Sequence, residues 1–164
     1  MLTGGNVRTS ANQMSEMNSR IATFILAVAL SLTLVTVARA GPQDGPAEDK
    51  VVYHLSDGLE QAANGLRNVQ NHLEVNPKAK IIIVAHAKGV DYLMDGAQDK
   101  NGNPFNIVVE ELKAKGVEFD VCEITLKRRQ IDKSKFIPEV TFVPSGVAEI
   151  ARLQQREGYA YIKP

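Results

Sequence analysis

A second cysteine is missing from this chain. Cys122 stands alone in 164 residues, so no disulfide can close within the chain, and without a C-x-x-C pair a self-contained dithiol oxidoreductase is excluded. Net charge is missing too. Nineteen basic residues face 19 acidic ones, a balance that argues against nucleic acid or an anionic membrane surface as the main partner. Internal repeats are absent, and the segment around the cysteine, "CEITLKR", contains no glycine.

What is present begins with a leader. Residues 21–37, "IATFILAVALSLTLVTV", are apolar apart from serine and threonine; Arg8 and Arg20 precede them and Ala38-Arg39-Ala40 follows. A charged start, an apolar middle and an A-x-A end are the three parts of a secretory signal, cleaved here between Ala40 and Gly41. A membrane anchor is the alternative for a run of this length, but Arg39 and the flanking alanines favour removal, leaving no stable anchor. Met14 or Met17 would also serve as the start. Losing Arg8, Arg20, Arg39 and Glu16 from 19 basic and 19 acidic residues leaves 16 against 18. We therefore expect a signal peptide at 1–40, a Gly/Pro linker at 41–49 and one domain at 50–164, large enough to close a core without disulfides or metals.

The domain alternates strand and helix patterns. "KVVYHL" (50–55) reads as a strand, followed by a helix carrying Leu59, Ala62, Ala63, Leu66, Val69 and Leu73 at helical spacing, with Asp57 and Glu60 placed as a capping box and Asn76-Pro77 as the stop. "KIIIVAH" (80–86) is a continuous apolar run, as in a strand covered on both faces. A short helical piece near Val90 to Met94 precedes a second helix that starts at Pro104 and ends at Gly116. "VEFDVC" then alternates, with Val117, Phe119 and Val121 on one face and Glu118 and Asp120 on a less apolar one. "EVTFVP" (139–144) is a fourth strand, Ser145 caps a last helix ending at Gly158, and "YAYIK" is a fifth strand. This order predicts an α/β/α three-layer sandwich around a mainly parallel sheet of about five strands. "DKNGNP" (99–104) reads as an ordinary turn, because Pro104 stands where a calcium loop needs its glycine.

Ligands of open parallel sheets bind beyond the carboxyl ends of the strands. Ser56 and Asp57 follow the first strand, His86 the second and Cys122 the third, so all four fall on one edge. A thiol at the junction of strand and helix faces backbone N–H groups that favour thiolate, and Lys127, Arg128 and Arg129 add positive charge. Each has a plainer reading. Unpaired cysteine is usually a buried core residue, and the plainer roles are a sheet-edge cap for His86, a helix cap for Asp57 and a solvated face for the basic triplet. His54, inside the first strand, reads as a core histidine. The spacing from Cys122 to Arg128 fits the C-x5-R phosphatase cradle, yet the β-branched Ile124 and Thr125 resist the curvature of a phosphate nest.

The stretches "VVYHLSDG", "IIIVAHAKGV", "EELKAKGVEFDVCEITLKRRQI" and "VPSGVAEIARLQQREGYAYIKP" resemble the DsrE/DsrF-like sulfur-relay family over 50–164, and the last of them resembles its secreted branch. The resemblance implies a flavodoxin-like fold and a persulfide held on Cys122. It also implies a homo-oligomer, trimer or hexamer, and a periplasmic location. The expected function is an exported sulfur carrier, without cofactor or metal, whose accessible, ionised Cys122 exchanges sulfane sulfur with donor and acceptor proteins or small thiols. In that role His86 would orient or protonate the exchanging group, Ser56 and Asp57 would line the site, and Lys127 or Arg128 would steady the anion. The rival is a non-catalytic, oligomeric ligand-binding or interaction module with an incidental thiol.

Overall fold

The computed structural model describes residues 48–164. The expected leader, its cleavage point and linker residues 41–47 lie outside the described residues. Within them, β1 (Lys50–Leu55), β2 (Lys80–Ala85), β3 (Glu118–Cys122), β4 (Thr141–Val143) and β5 (Ala160–Ile162) form one sheet in the order β4-β3-β2-β1-β5. Every pairing in it is parallel. The helices are α1 (Leu59–Val75), α2 (Phe105–Ala114), α3 (Glu123–Arg129) and α4 (Gly146–Glu157), with a 3-10 helix at Ala87–Leu93 and a short one at Lys133–Lys135.

Connection order decides which face each helix covers. From β1 to β4 the chain steps across the sheet in one direction, and right-handed crossovers then put the intervening helices on one face. The step from β4 back past β3, β2 and β1 to β5 runs the other way and carries α4 over the opposite face. Two unequal cores result. The larger joins Val51, Tyr53 and Leu55 of β1 with Ile81, Ile83 and Ala85 of β2, Phe119 and Val121 of β3, and the stripe of α1. The smaller holds Val52, Ile82 and Val84 of the sheet against Ile150 and Leu153 of α4. The continuous apolar run of β2 thus supplies both.

Two local expectations are corrected. Asp57 and Glu60 form no capping box: the cap residue of α1 is Gly58, at φ +100°, and it makes no side-chain cap. Instead Gln61 Oε1 accepts from the backbone N–H of Ser56 at 2.7 Å and of Asp57 at 2.8 Å, one residue beyond the Glu60 that the pattern suggested. Asp120 does face the less apolar side, but α4 covers it, and only 5% of it is exposed. At the last helix Ser145 Oγ accepts from the Ala148 N–H, and Gly158, in the left-handed region, ends the helix. The 99–104 segment is a turn in which Asp99 Oδ1 accepts from the N–H groups of Asn101 and Asn103.

Gly89 holds the 3-10 helix on the end of β1. A β-carbon there would stand 2.1 Å from the Leu55 carbonyl oxygen and 2.6 Å from the Ser56 nitrogen, both backbone atoms that cannot move aside. Gly89→Ala is expected to cost about 3 kcal/mol or more, read as a lowered denaturant midpoint.

Burial, with Glu149 and Glu118 close by, pushes the Asp120 carboxyl up to about 7 against the opposing pull of Arg152 and Lys113. The folded state therefore holds a proton that the unfolded state releases between about pH 4 and 7, and stability contributed by the neutral acid is lost as pH rises through that window. Asp120→Asn should leave the denaturant midpoint unchanged near pH 4 and raise it at pH 8. The gain should be on the order of 1 kcal/mol per pH unit of the window.

Candidate functional site

Cys122 sits where neighbouring strands send the chain to opposite faces. β3 leads into α3, whose Leu126 joins the larger core, while β4 leads through Pro144 and Ser145 into α4 on the other side. Such a divergence opens a crevice beyond the strand ends. Here the crevice is narrow because Gly146 fills it. A β-carbon on Gly146 would lie 3.2 Å from the Cys122 β-carbon, 3.3 Å from that of His86 and 3.4 Å from Val84 Cγ1, so any larger residue would push these neighbours a few tenths of an ångström away.

This approach supplies the thiol with donors. Burial raises the Cys122 pKa, but hydrogen bonds from the Gly146 N–H, the Thr125 hydroxyl and N–H, and the Ile124 N–H outweigh it, and the net shift is downward. The Thr125 hydroxyl also accepts from the Ala87 N–H at 2.9 Å, tying the thiol to the loop after β2. Ala87 holds φ +51°, a left-handed conformation unusual for a residue with a β-carbon, and its carbonyl accepts from Arg129 Nη1 at 2.9 Å. The same Arg129 nitrogen pairs with Asp91 at 2.6 Å. The expectation of an open thiol is corrected, since Cys122 is only 5% exposed. A cavity of about 460 Å³ lies next to it, walled by His86, Thr125, Lys88, Arg128 and the Asp91–Arg129 pair, without Cys122 in its lining.

The register that pairs Ala85 with Val121 puts His86 next to Cys122 at the strand ends. His86 Nε2 lies 2.6 Å from His54 Nε2, the rings stacking with centroids 4.7 Å apart. The other nitrogen of His54, Nδ1, lies 2.7 Å from the Tyr161 hydroxyl. Desolvation, then His86 and Lys163, lower the His54 pKa to about 4 despite Asp57; desolvation and Lys163 also lower that of His86. Both rings are therefore neutral at physiological pH.

The other anticipated residues divide. Ser56 Oγ donates to Asp57 Oδ1 at 2.8 Å, and Asp57 Oδ2 pairs with Lys163 at 3.1 Å, placing the two beside the histidine pair and away from the thiol. Hydrogen bonds from Ser56 and Lys163 keep the Asp57 carboxyl below its usual range. Arg128 walls the cavity and Lys127 does not. Sequence reasoning missed Thr125, Gly146 and Tyr161, and read His54 as a core residue. One signal was available for His54: it lies two residues after Val52, on the face away from Tyr53 and Leu55, near the carboxyl end of its strand. Among the described residues, no group of three or more His, Cys, Asp or Glu side chains is placed to hold a metal ion.

Thr125→Val keeps the shape of the side chain and removes both hydroxyl bonds. Its thiol pKa should rise, visible as an upward shift in the pH dependence of Cys122 alkylation. The unpaired Ala87 N–H should cost about 1–3 kcal/mol in the unfolding midpoint.

Comparison with solved structures finds the fold in seven chains. The protein of unknown function MTH1491 from Methanobacterium thermoautotrophicum is 32% identical, with 71% of this chain and 99% of that one covered at a TM-score of 0.62. The ychN protein from E. coli, at 18% identity with the same coverages and a TM-score of 0.60, shows the fold alone. Comparison with curated proteins gives no match. Residues 8–164 match the DsrE/DsrF-like family, so this chain belongs to that family, which is associated with sulfur relay.

Proposed function

We propose that this protein is an exported sulfur carrier that holds sulfane sulfur as a persulfide on Cys122. The observation that carries the reading is the place of Cys122, at the end of β3 with its β-carbon against the first turn of α4, where the N–H groups of Ile124, Thr125 and Gly146 and the Thr125 hydroxyl lower the thiol pKa. They favour a thiolate before transfer and an anionic persulfide after it. In the transfer the Cys122 thiolate attacks the outer sulfur of a donor R–S–SH, forming a new S–S bond, while the donor's own S–S bond breaks and its electron pair leaves on R–S⁻. Attack by an acceptor thiolate reverses the sequence. Low exposure protects the stored sulfur, and the neighbouring cavity beside Thr125 and His86 is the place where a small thiol or a partner's extended tail would approach.

Export rests on the leader pattern at 1–40 and the periplasmic location on the family resemblance; recovery of a protein beginning at Gly41 from that compartment would support both. The partners are donor and acceptor proteins or small thiols, and the chain works as a homo-oligomer, trimer or hexamer. One observation favours a second reading, an interaction module with an incidental thiol. Ile124 and Val147, at the first turns of α3 and α4, are 41% and 62% exposed and suit a protein contact.

Intact mass after exposure to a low-molecular-weight persulfide separates the two. Carriage predicts one added sulfur atom on the wild type and none on Cys122→Ser. No mass gain on either protein, or the same gain on both, would leave the module.

A further inference from the structure

We propose that Tyr161, His54 and His86 form a proton relay joining Cys122 to solvent, with His54 and Tyr161 as positioning residues that act through His86. The inference rests on the carrier reading and adds to it the path of the proton.

The geometry is a chain of three hydrogen-bonding groups. Tyr161 is 42% exposed, its hydroxyl lies 2.7 Å from His54 Nδ1, and His54 Nε2 lies 2.6 Å from His86 Nε2. The remaining nitrogen, His86 Nδ1, has no hydrogen-bond partner among the described residues. Its side chain walls the cavity, and the β-carbons of His86 and Cys122 both stand against Gly146, 3.3 Å and 3.2 Å from where a β-carbon there would lie, so the two side chains are neighbours. The thiol itself is nearly covered, so its proton needs an exit that does not depend on bulk water.

Two neutral tautomeric settings satisfy every bond in the chain. In the first, His86 Nε2–H donates to His54 Nε2, and His54 Nδ1–H donates to the Tyr161 oxygen. When Cys122 gives its proton to His86 Nδ1, the Nε2 proton passes to His54, the Nδ1 proton of His54 passes to Tyr161, and Tyr161 releases its own to water. In the second setting every donor is reversed. One proton has moved and neither ring has become an imidazolium. That matters because desolvation and Lys163 hold both rings neutral, with Asp57 only partly opposing them. Lys88 and Arg128 across the cavity, with Arg129 paired to Asp91, add positive charge that disfavours an imidazolium further.

The transfer balances as Cys–SH plus R–S–SH giving Cys–S–SH plus R–SH. The S–H bond of Cys122 breaks, its proton enters the relay, the sulfur pair forms the new S–S bond, and the departing R–S⁻ recovers a proton from His86 or solvent.

The test is the rate of sulfur loading from a low-molecular-weight persulfide, followed by intact mass across a pH series, for wild type, His54→Gln and Tyr161→Phe. Below the thiol's pKa, His54→Gln should slow loading about a hundredfold and Tyr161→Phe about tenfold, at or below the low end for a positioned acid–base group. Both deficits should shrink as rising pH ionises Cys122 without help, and a solvent deuterium effect present in wild type should diminish in both variants. A deficit equal at every pH, or loading as fast as wild type, overturns the relay and leaves carriage standing. No loading by wild type overturns carriage and the relay with it.

Discussion

The close approach of α4 to the end of β3 organises the whole carboxyl edge. It depends on one missing side chain, at Gly146. With no β-carbon there, the first turn of α4 packs closely on Cys122 and His86, and the Gly146 N–H is near enough to the sulfur to favour its thiolate. The Thr125 hydroxyl completes the arrangement from the other side, donating to the sulfur while accepting from Ala87, and so couples α3, the loop after β2 and the nucleophile in one bonded unit.

The face beneath α4 combines a small apolar core with polar groups along its length. Val52, Ile82, Val84, Ile150 and Leu153 supply the packing, while His54, His86, Cys122 and Asp120 occupy the same side of the sheet. Burial acts on each of these groups in the direction that disfavours charge: it lowers the two imidazoles and raises the carboxyl and the thiol. Only the thiol receives enough donors to reverse that pressure. The outcome is one group biased to ionise beside two rings biased to stay neutral, which suits a nucleophile that must lose a proton without placing charge on its neighbours.

Much of this was legible in the amino-acid order. The apolar run 81–85, the alternation of 117–121 and the helical stripe from Leu59 to Leu73 are local periodicities, and each became the expected element. That Ser56, Asp57, His86 and Cys122 share an edge follows from strand direction alone. The capping box did not form, because Gln61 competes for the same N–H groups and a three-residue spacing cannot rank such rivals. His54 read as a core residue because its partners, His86 just after β2 and Tyr161 in β5, lie 32 and 107 residues away.

The sequence by itself determined the sheet, its direction and the family, since periodicity, strand ends and the segments around Cys122 are properties of short stretches of chain. Tertiary structure alone decided that β5 returns beside β1, that α4 covers Asp120 and that Gly146 seats against the cysteine. These facts turn a lone thiol into a shielded, hydrogen-bonded one with a histidine pair alongside. They depend on contacts between residues far apart in the chain, whose distances are set by packing and not by spacing along the backbone.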